Sequence, residues 1–351
     1  MRKSSTQAVK RRAHSAMSQR QRKILSAFLA AAPFACLIVC LGIGRYQISI
    51  PETVRILLSP LTGSEVEPTA YSVLFNVRLP RLLLSLFVGA GLSVSGAAFQ
   101  ALFSNPLATP DTLGVASGAS FGAVLALLFS HNILVVQVLA LAVGMAALLG
   151  TCLISRMNGR SGIIMVVLSG MVVSSLFQAL VSLAKYVADP EEDLPTITYW
   201  LMGSMSRSTM QGIAIGVPLI AIGILLLFFL RWRLNILSLQ EDEAKSLGIN
   251  VRRLRLLVMA ASTMITASCV SMCGQVGWVG LLIPHAARML YGSDNRSIIP
   301  ASIGLGSAFM VVIDTAARAA TAAEIPVSIL TALIGAPFFI LLLRKTGGAK
   351  L

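Results

Sequence analysis

The histidines, cysteines and acids of this chain are the side chains able to hold a metal or move a proton, and their spacing argues against both. His14 lies in a basic tail, His131 in a short turn and His285 directly after Pro284 within an apolar run, with no ligand spacing among them. Cys36 and Cys40 stand at i and i+4, as do Cys269 and Cys273, which puts each pair on one helix face. No carboxylate or imidazole accompanies either pair, so these four, with Cys152, read as small helix-packing residues. No metal site, catalytic group or cofactor is expected. None of the seven lysines follows a glycine, so the Gly-Lys of a phosphate-binding loop is missing and the chain is not expected to hydrolyse ATP. Asp314 is read as the one acid inside an apolar segment, with Arg318 one turn on as its expected partner. Ion-coupled carriers need such intramembrane carboxylates, and a secondary, ion-coupled transporter is the alternative reading.

Two polar features break the apolar background. The stretch from Ser238 to Gly248 reads as a short helix outside the membrane. Ser238 and Glu241 fit a capping box, and Gly248 fits a left-handed stop. Glu241 and Lys245 stand at i and i+4, while Leu237, Ala244 and Gly248 share a smooth apolar side. A solvated loop with incidental helicity is the bland reading. The second feature is Arg78-Leu-Pro-Arg81. Pro80 suits a first helical turn, which would crowd two arginines at a helix N-terminus whose dipole repels cations.

Composition sets what must position these groups. At 56% hydrophobic and 12% charged, with mean hydropathy +0.82, the chain has about half the charge of a soluble domain. It reads as an all-α polytopic membrane protein with about ten transmembrane helices, near 24–44, 82–103, 112–130, 133–155, 162–184, 212–230, 255–273, 278–291, 300–317 and 328–343. The eighth is short and follows Gly274, Gly277 and Gly280, so it is expected to start below the membrane surface. Glycine and small residues spaced by four, Gly114, Gly118 and Gly122 in one helix and Gly89, Ser93 and Ala97 in another, predict close backbone packing.

Net charge +14 could suggest nucleic acid, but Arg2, Lys3, Lys10, Arg11, Arg12, Arg20, Arg22 and Lys23 cluster ahead of the first helix. Residues 1–23 therefore read as a basic cytoplasmic tail touching anionic membrane lipid, with no nucleic-acid partner. The run from Ile24 to Gly44 has the length of a full span and no evident cleavage site, so it reads as a helix and not a signal peptide. Of the 28 lysines and arginines, 21 fall on one side of the ten-helix topology, which orients both termini and the 238–248 loop to the cytoplasm. The expected layout is a tail at 1–23, a permease domain at 24–345 and a cytoplasmic end at 346–351.

Motifs along nearly the whole chain carry a family resemblance. Arg78-Leu-Pro-Arg81, Gln100-Ala-Leu-Phe-Ser-Asn-Pro-Leu-Ala108, Tyr199-Trp-Leu-Met-Gly203, Glu243-Ala-Lys-Ser-Leu-Gly248, Gly274-Gln-Val-Gly-Trp-Val-Gly-Leu-Leu-Ile-Pro-His285 with Arg288, Asp314 with Arg318, and Glu324-Ile-Pro326 with Gly335-Ala-Pro-Phe338 resemble the FecCD family. That family comprises inner-membrane permeases of binding-protein-dependent ABC importers for iron-siderophore, haem and vitamin B12. Gln275 and Trp278 depart from its usual residues.

The resemblance implies a type II ABC-importer permease fold that moves an iron(III)-siderophore or similar metal chelate. It also implies a second permease subunit, as a homodimer or heterodimer, two cytoplasmic ATPase subunits and a periplasmic or lipid-anchored substrate-binding protein. The resemblance makes 238–248 the ATPase-coupling element, with Ser238, Glu241, Glu243, Ala244, Leu247 and Gly248 as its residues. It gives Arg78, Arg81 and Arg318 to binding-protein docking, each paired with a glutamate of the binding protein. On the fifth helix it places Met171, Ser174, Ser175 and Gln178 along the pathway and Arg160 and Ser161 at a cytoplasmic gate. Periodicity alone would read the fifth-helix residues as packing.

Overall fold

The computed structural model describes residues 18–130, 132–156, 163–238, 241–246, 248–321 and 323–346. A helix stands at each of the ten expected places: α1 (Gln19–Gly42), α3 (Pro68–Leu102), α4 (Val115–Phe129), α5 (Ile133–Arg156), α6 (Ile163–Val187), α8 (Met210–Leu234), α10 (Val251–Cys273), α11 (Val279–Tyr291), α12 (Asn295–Ala319) and α13 (Val327–Thr346). Seven of them are long and apolar enough to cross a bilayer, while α4, α11 and the apolar part of α13, Val327–Leu341, are shorter. Among the described residues three further short helices, α2 (Ile50–Thr62), α7 (Asp193–Leu201) and α9 (Glu241–Ser246), sit in the connections. The residues of the tail before Ser18 and of the chain end after Thr346 lie outside the described residues.

Burial sorts the helices into a centre and a rim. In the apolar windows of α3 and α10, 83% and 78% of residues are buried, against 17% for α6 and 22% for α1 and α8. The centre is made of small residues. A Cβ on Gly89 would sit 2.1 Å from the Gly306 carbonyl oxygen of α12, and one on Gly96 would sit 1.9 Å from that of Gly280 in α11. Backbones therefore touch without side chains between them, and at Gly89 this is the arrangement the four-residue spacing predicted. Gly118 and Gly122 press likewise on α5, at Ala147 and the Leu139 carbonyl.

Three boundaries differ from expectation. Ser18 caps α1 through a capping box with Gln21, so Arg20, Arg22 and Lys23 lie on the helix and not in a tail. The second span starts at Pro68, not near residue 82. A π turn at Val73–Arg78 precedes Pro80. Proline lacks an N–H and its ring crowds the carbonyl four residues back, and the widened turn absorbs both. Arg78 and Arg81 consequently sit inside a continuous helix, and the argument from a crowded N-terminus does not apply. Third, α9 has six residues and begins at Glu241. Ser238 closes a preceding 3-10 turn, Asn235–Ser238.

Candidate functional site: a buried arginine cluster, a coupling loop and a mid-membrane chamber

At the end of the molecule away from α9, α1, α3 and α12 converge on three arginines. Arg81 of α3 donates from Nε to Asp314 Oδ1 of α12 at 2.7 Å, and from Nη1 to both Glu324 oxygens at 2.9 and 2.8 Å. Arg78 donates to the carbonyls of Leu41 at 2.6 Å and Gly42 at 3.2 Å, free acceptors where α1 ends, and to that of Tyr46 in the connection beyond. Arg318 donates to the Cys40 carbonyl at 2.5 Å. Gly44 is what lets the chain pass: a Cβ there would lie 2.6 Å from Arg78 Nη2 and 2.9 Å from Arg318 Nη1.

Arg78, Arg81 and Arg318 are 3%, 4% and 8% exposed. Within this chain the three guanidinium groups donate to internal carbonyls and carboxylates, which leaves little of them on the surface where the expected docking would take place. Asp314 takes Arg81 as its ion-pair partner, and not Arg318 as its spacing suggested. The distant residue wins because α3 lies directly against α12, which a sequence separation of 233 conceals. Asp314 Oδ2 and Arg318 Nε remain without hydrogen-bond partners among the described residues. Glu324, whose side chain is 31% exposed, forms the rim of the cluster. Its role as Arg81's second acid was not foreseen.

The expected coupling loop lies at the other end. Asn235 Nδ2 donates to Asp294 Oδ1 at 2.8 Å, and Asn235 Oδ1 accepts from the Asn295 backbone N–H at 2.9 Å. Asp294 also caps α12. Burial pushes its carboxyl up, but the bonds from Asn235 and Arg296 outweigh that and hold it below the usual carboxylate range. The loop base is thereby tied to the first turn of α12. Gly248 has φ +73°, the left-handed stop its position predicted. Ala244, expected on the docking face, is buried within the chain. Glu243, Ser246 and Gly248 are exposed. Leu247 lies outside the described residues, and the side chains of Ser238 and Glu241 are likewise not described.

The third region opens where helices break. The connection after α3 turns back at a 3-10 turn, Pro110–Leu113, and Ser174 of α6 approaches the Asp111 carbonyl at 3.5 Å. Ser174 stands near the midpoint of α6, so this turn reaches the middle of the bundle. Across from it, α10 ends at Cys273 and α11 starts at Val279, with Trp278 at φ +70° between them. A tryptophan in the left-handed region is strained, and such strain gathers at functional sites. Gly335 of α13 makes room for the indole, since a Cβ there would lie 2.7 Å from the ring. Gln275 donates to Ser120 at 2.8 Å, while Gln100 donates to the Gly280 carbonyl at 3.3 Å and accepts from Arg288.

Between these breaks is a chamber of about 220 Å³ whose polar lining comprises Thr109, Asp111, Ser117, Gln178, Thr266 and Gln275. Of the expected pathway residues, Gln178 lines it; Met171 and Ser175 are exposed on the adjoining face of α6, and Ser174 packs on the turn. Arg160 and Ser161 lie outside the described residues. Asp111 was missed altogether. Its only signal was an acid next to Pro110, between the Gln100–Ala108 motif and Gly114, in a connection that reads as an ordinary loop.

Comparison with known proteins gives the same architecture. The model of the FecCD transport family matches residues 32–345. The molybdate import system permease protein MolB of Haemophilus influenzae is 44% identical over 309 residues, 88% of this chain and 91% of that protein. The cobalamin import system permease protein BtuC of Halobacterium salinarum is 39% identical, over 80% of this chain and 75% of that one. A solved inward-facing ABC transporter of metal-chelate type superposes with a TM-score of 0.84 at 40% identity, covering 92% of this chain and 99% of its own.

Proposed function

This chain belongs to the FecCD transport family and is a multi-pass permease of an ABC importer, and from that premise we propose that two copies enclose a pathway for a metal chelate such as an iron(III)-siderophore. A periplasmic or lipid-anchored binding protein delivers cargo at the end holding the arginine cluster. Two cytoplasmic ATPase subunits drive the cycle from the end holding α9, and both chain termini lie in the cytoplasm. The observation that carries this reading is the chamber beside α6. It is built from broken helices, which membranes tolerate where they line a cavity, and it lies next to a helix face that the chain itself leaves uncovered.

Apart from the Asp111 carboxylate, the lining supplies hydroxyls and amides, and no metal-ligand cluster occurs among the described residues. That suits a chelate which must pass without being held. Force enters at α9, where Glu243, Ser246 and Gly248 offer the exposed surface for a helix-in-groove contact. It passes through Asn235 and Asp294 to α12, whose 25 residues span about 37 Å at 1.5 Å each and end at the Asp314–Arg81 pair. A binding-protein carboxylate reaches Arg81 by taking the place of Glu324 at the rim.

The test is reconstitution of the permease with its ATPase and binding protein in proteoliposomes. Cargo-dependent ATP hydrolysis and uptake, from a complex containing two ten-helix subunits, are expected. Uptake driven by an ion gradient without ATP would overturn the reading in favour of a secondary transporter.

A further inference from the structure

Between α1 and α12 lies a second cavity, of about 420 Å³, which shares no residue with the chamber. Pro33 and Phe34 of α1 wall one side and Pro300 and Ile303 of α12 the other, with Leu86 of α3 between them. We propose that this groove binds one anionic phospholipid of the cytoplasmic leaflet, an acyl chain in the apolar part and the phosphate at Arg296. The leaflet rests on the orientation in the transport reading above.

Length, position and charge select that occupant. Arg296 and Ser307 both line the cavity, eleven residues apart along α12, which is about 16 Å at 1.5 Å per residue. The hydrocarbon core of a bilayer is about 30 Å thick, so the groove is one leaflet deep. That suits an acyl chain and is too short for a spanning helix. The groove also lies on the rim, where 22% of the apolar window of α1 is buried and Phe34 is exposed. α1 packs on α12, α3 and α2, whereas α6, the face given to a second copy, packs on α4 and α5. Gly304 fixes the crossing of α1 with α12, since a Cβ there would lie 2.2 Å from the Leu29 carbonyl oxygen. The polar end matches a phosphodiester. Arg296 Nε donates to the two Asp294 oxygens at 3.2 and 3.0 Å, and neither Nη group donates a hydrogen bond among the described residues. Asp294 is the acid in contact, and its carboxylate is already engaged by Asn235 and Arg296. Ser26 and Tyr291 pair their hydroxyls at 3.0 Å alongside. Arg22 and Lys23 stand four and three residues before Ser26, on the same face of α1, exposed and with no acid in that first turn. The mouth of the groove is therefore net positive, as basic pockets between spans that take anionic lipid headgroups are. The chain's own basic tail would meet repulsion there.

The experiment reads where a lipid sits and which headgroup it carries. Full-length permease is reconstituted in nanodiscs holding equal trace fractions of phosphatidylglycerol or phosphatidylcholine with the same diazirine-bearing acyl chain, and crosslinked peptides are quantified by mass spectrometry. Phosphatidylglycerol is expected to label Ala30, Phe34 and Ile303 more strongly than phosphatidylcholine does. Arg296→Gln should lower that ratio about fivefold, the effect of one basic group on an anionic headgroup, while Arg296→Lys keeps it. Ala30→Phe, which fills the groove, should remove labelling there by both lipids and spare the exposed α5 face at Leu149 and Leu153. Equal groove labelling by the two lipids in the unmodified protein, a ratio unchanged in Arg296→Gln, or groove labelling that survives Ala30→Phe would each overturn the site. A disulfide between two chains at Ala30→Cys would overturn it in favour of a second copy. Sidedness is read separately, in a background free of the five native cysteines. Ser293→Cys, exposed beside the mouth, is expected to react with a membrane-impermeant maleimide in inverted vesicles and not in right-side-out ones. The opposite accessibility would overturn the cytoplasmic leaflet, and with it the orientation of the transport reading, whether or not the groove is labelled.

Discussion

Arg81 and Asp314 show how far a residue's type can mislead about its place. An arginine near a membrane surface invites a docking role, because its planar fork stays charged and suits bidentate carboxylate contact. Here Nε and Nη1 are engaged from within, by Asp314 and Glu324. Removing one partner of a buried pair leaves the other charge uncompensated, at about 3–5 kcal/mol. Arg81→Ala is therefore expected to lower the thermal midpoint of the detergent-solubilised permease steeply, with Arg81→Lys losing less. Glu324→Gln should be mild, because that acid is at the rim. An Arg81→Ala protein that keeps its midpoint and loses only binding-protein affinity would show that Arg81 serves docking and not the fold. The arginine types and their family positions were legible in the sequence. Their burial was not, because it depends on Gly44 opening a gap for two guanidinium groups and on Pro80 lying behind a π turn. Asp111 was illegible for a related reason: hydropathy marks acids within apolar runs, and this acid reaches mid-membrane on a connection that folds back.

At the scale of elements, spacing was readable and partners were not. Gly89, with Ser93 and Ala97, announced close packing, but that Gly306 lies opposite requires the fold. Gly89→Leu is expected to force α3 and α12 apart, since even a Cβ would lie 2.1 Å from a backbone oxygen. Overpacking of this kind costs about 1–3 kcal/mol or more, and loss of inserted, monodisperse protein on size-exclusion chromatography would report it. The coupling loop is the other case. Its left-handed stop was legible at Gly248, whereas its face was not, because Ala244 turns inward. Asn235→Ala is expected to leave the basal ATPase rate of the complex intact and to lower transport per ATP several-fold. Equal coupling in that variant would remove α12 from the route. Asp294 adds a pH dependence. Its folded carboxyl is held below its unfolded value, so its contribution to stability is complete above the usual carboxylate range and is lost as pH falls through the folded value. The thermal midpoint of the native permease should therefore fall more on acidification below about pH 4 than that of Asp294→Asn.

For the whole molecule, ten helices and their order were legible because each span must satisfy its own backbone and so announces itself as an apolar run. What the chain lacks was not, since an uncovered face has the same hydropathy whether it meets lipid or protein. In α6, Met171 and Leu176 are each 58% exposed and Val172 62%, while Ser175 and Gln178 interrupt that apolar face with polar groups. A helix turned wholly to lipid gains nothing from an exposed amide, which hydrocarbon leaves unsatisfied at a cost of several kcal/mol; beside a chamber shared with a second copy the amide is solvated. Single cysteines at Met171 or Ser175, in a background free of the five native ones, are expected to crosslink two permease chains through a short bifunctional reagent. The yield should change between nucleotide-free and ATP-bound complexes, because the pathway must open and close between them. Crosslinking absent at both positions and in both states, with a purified complex holding one ten-helix subunit, would assign this face to lipid and confine the chamber to a single chain.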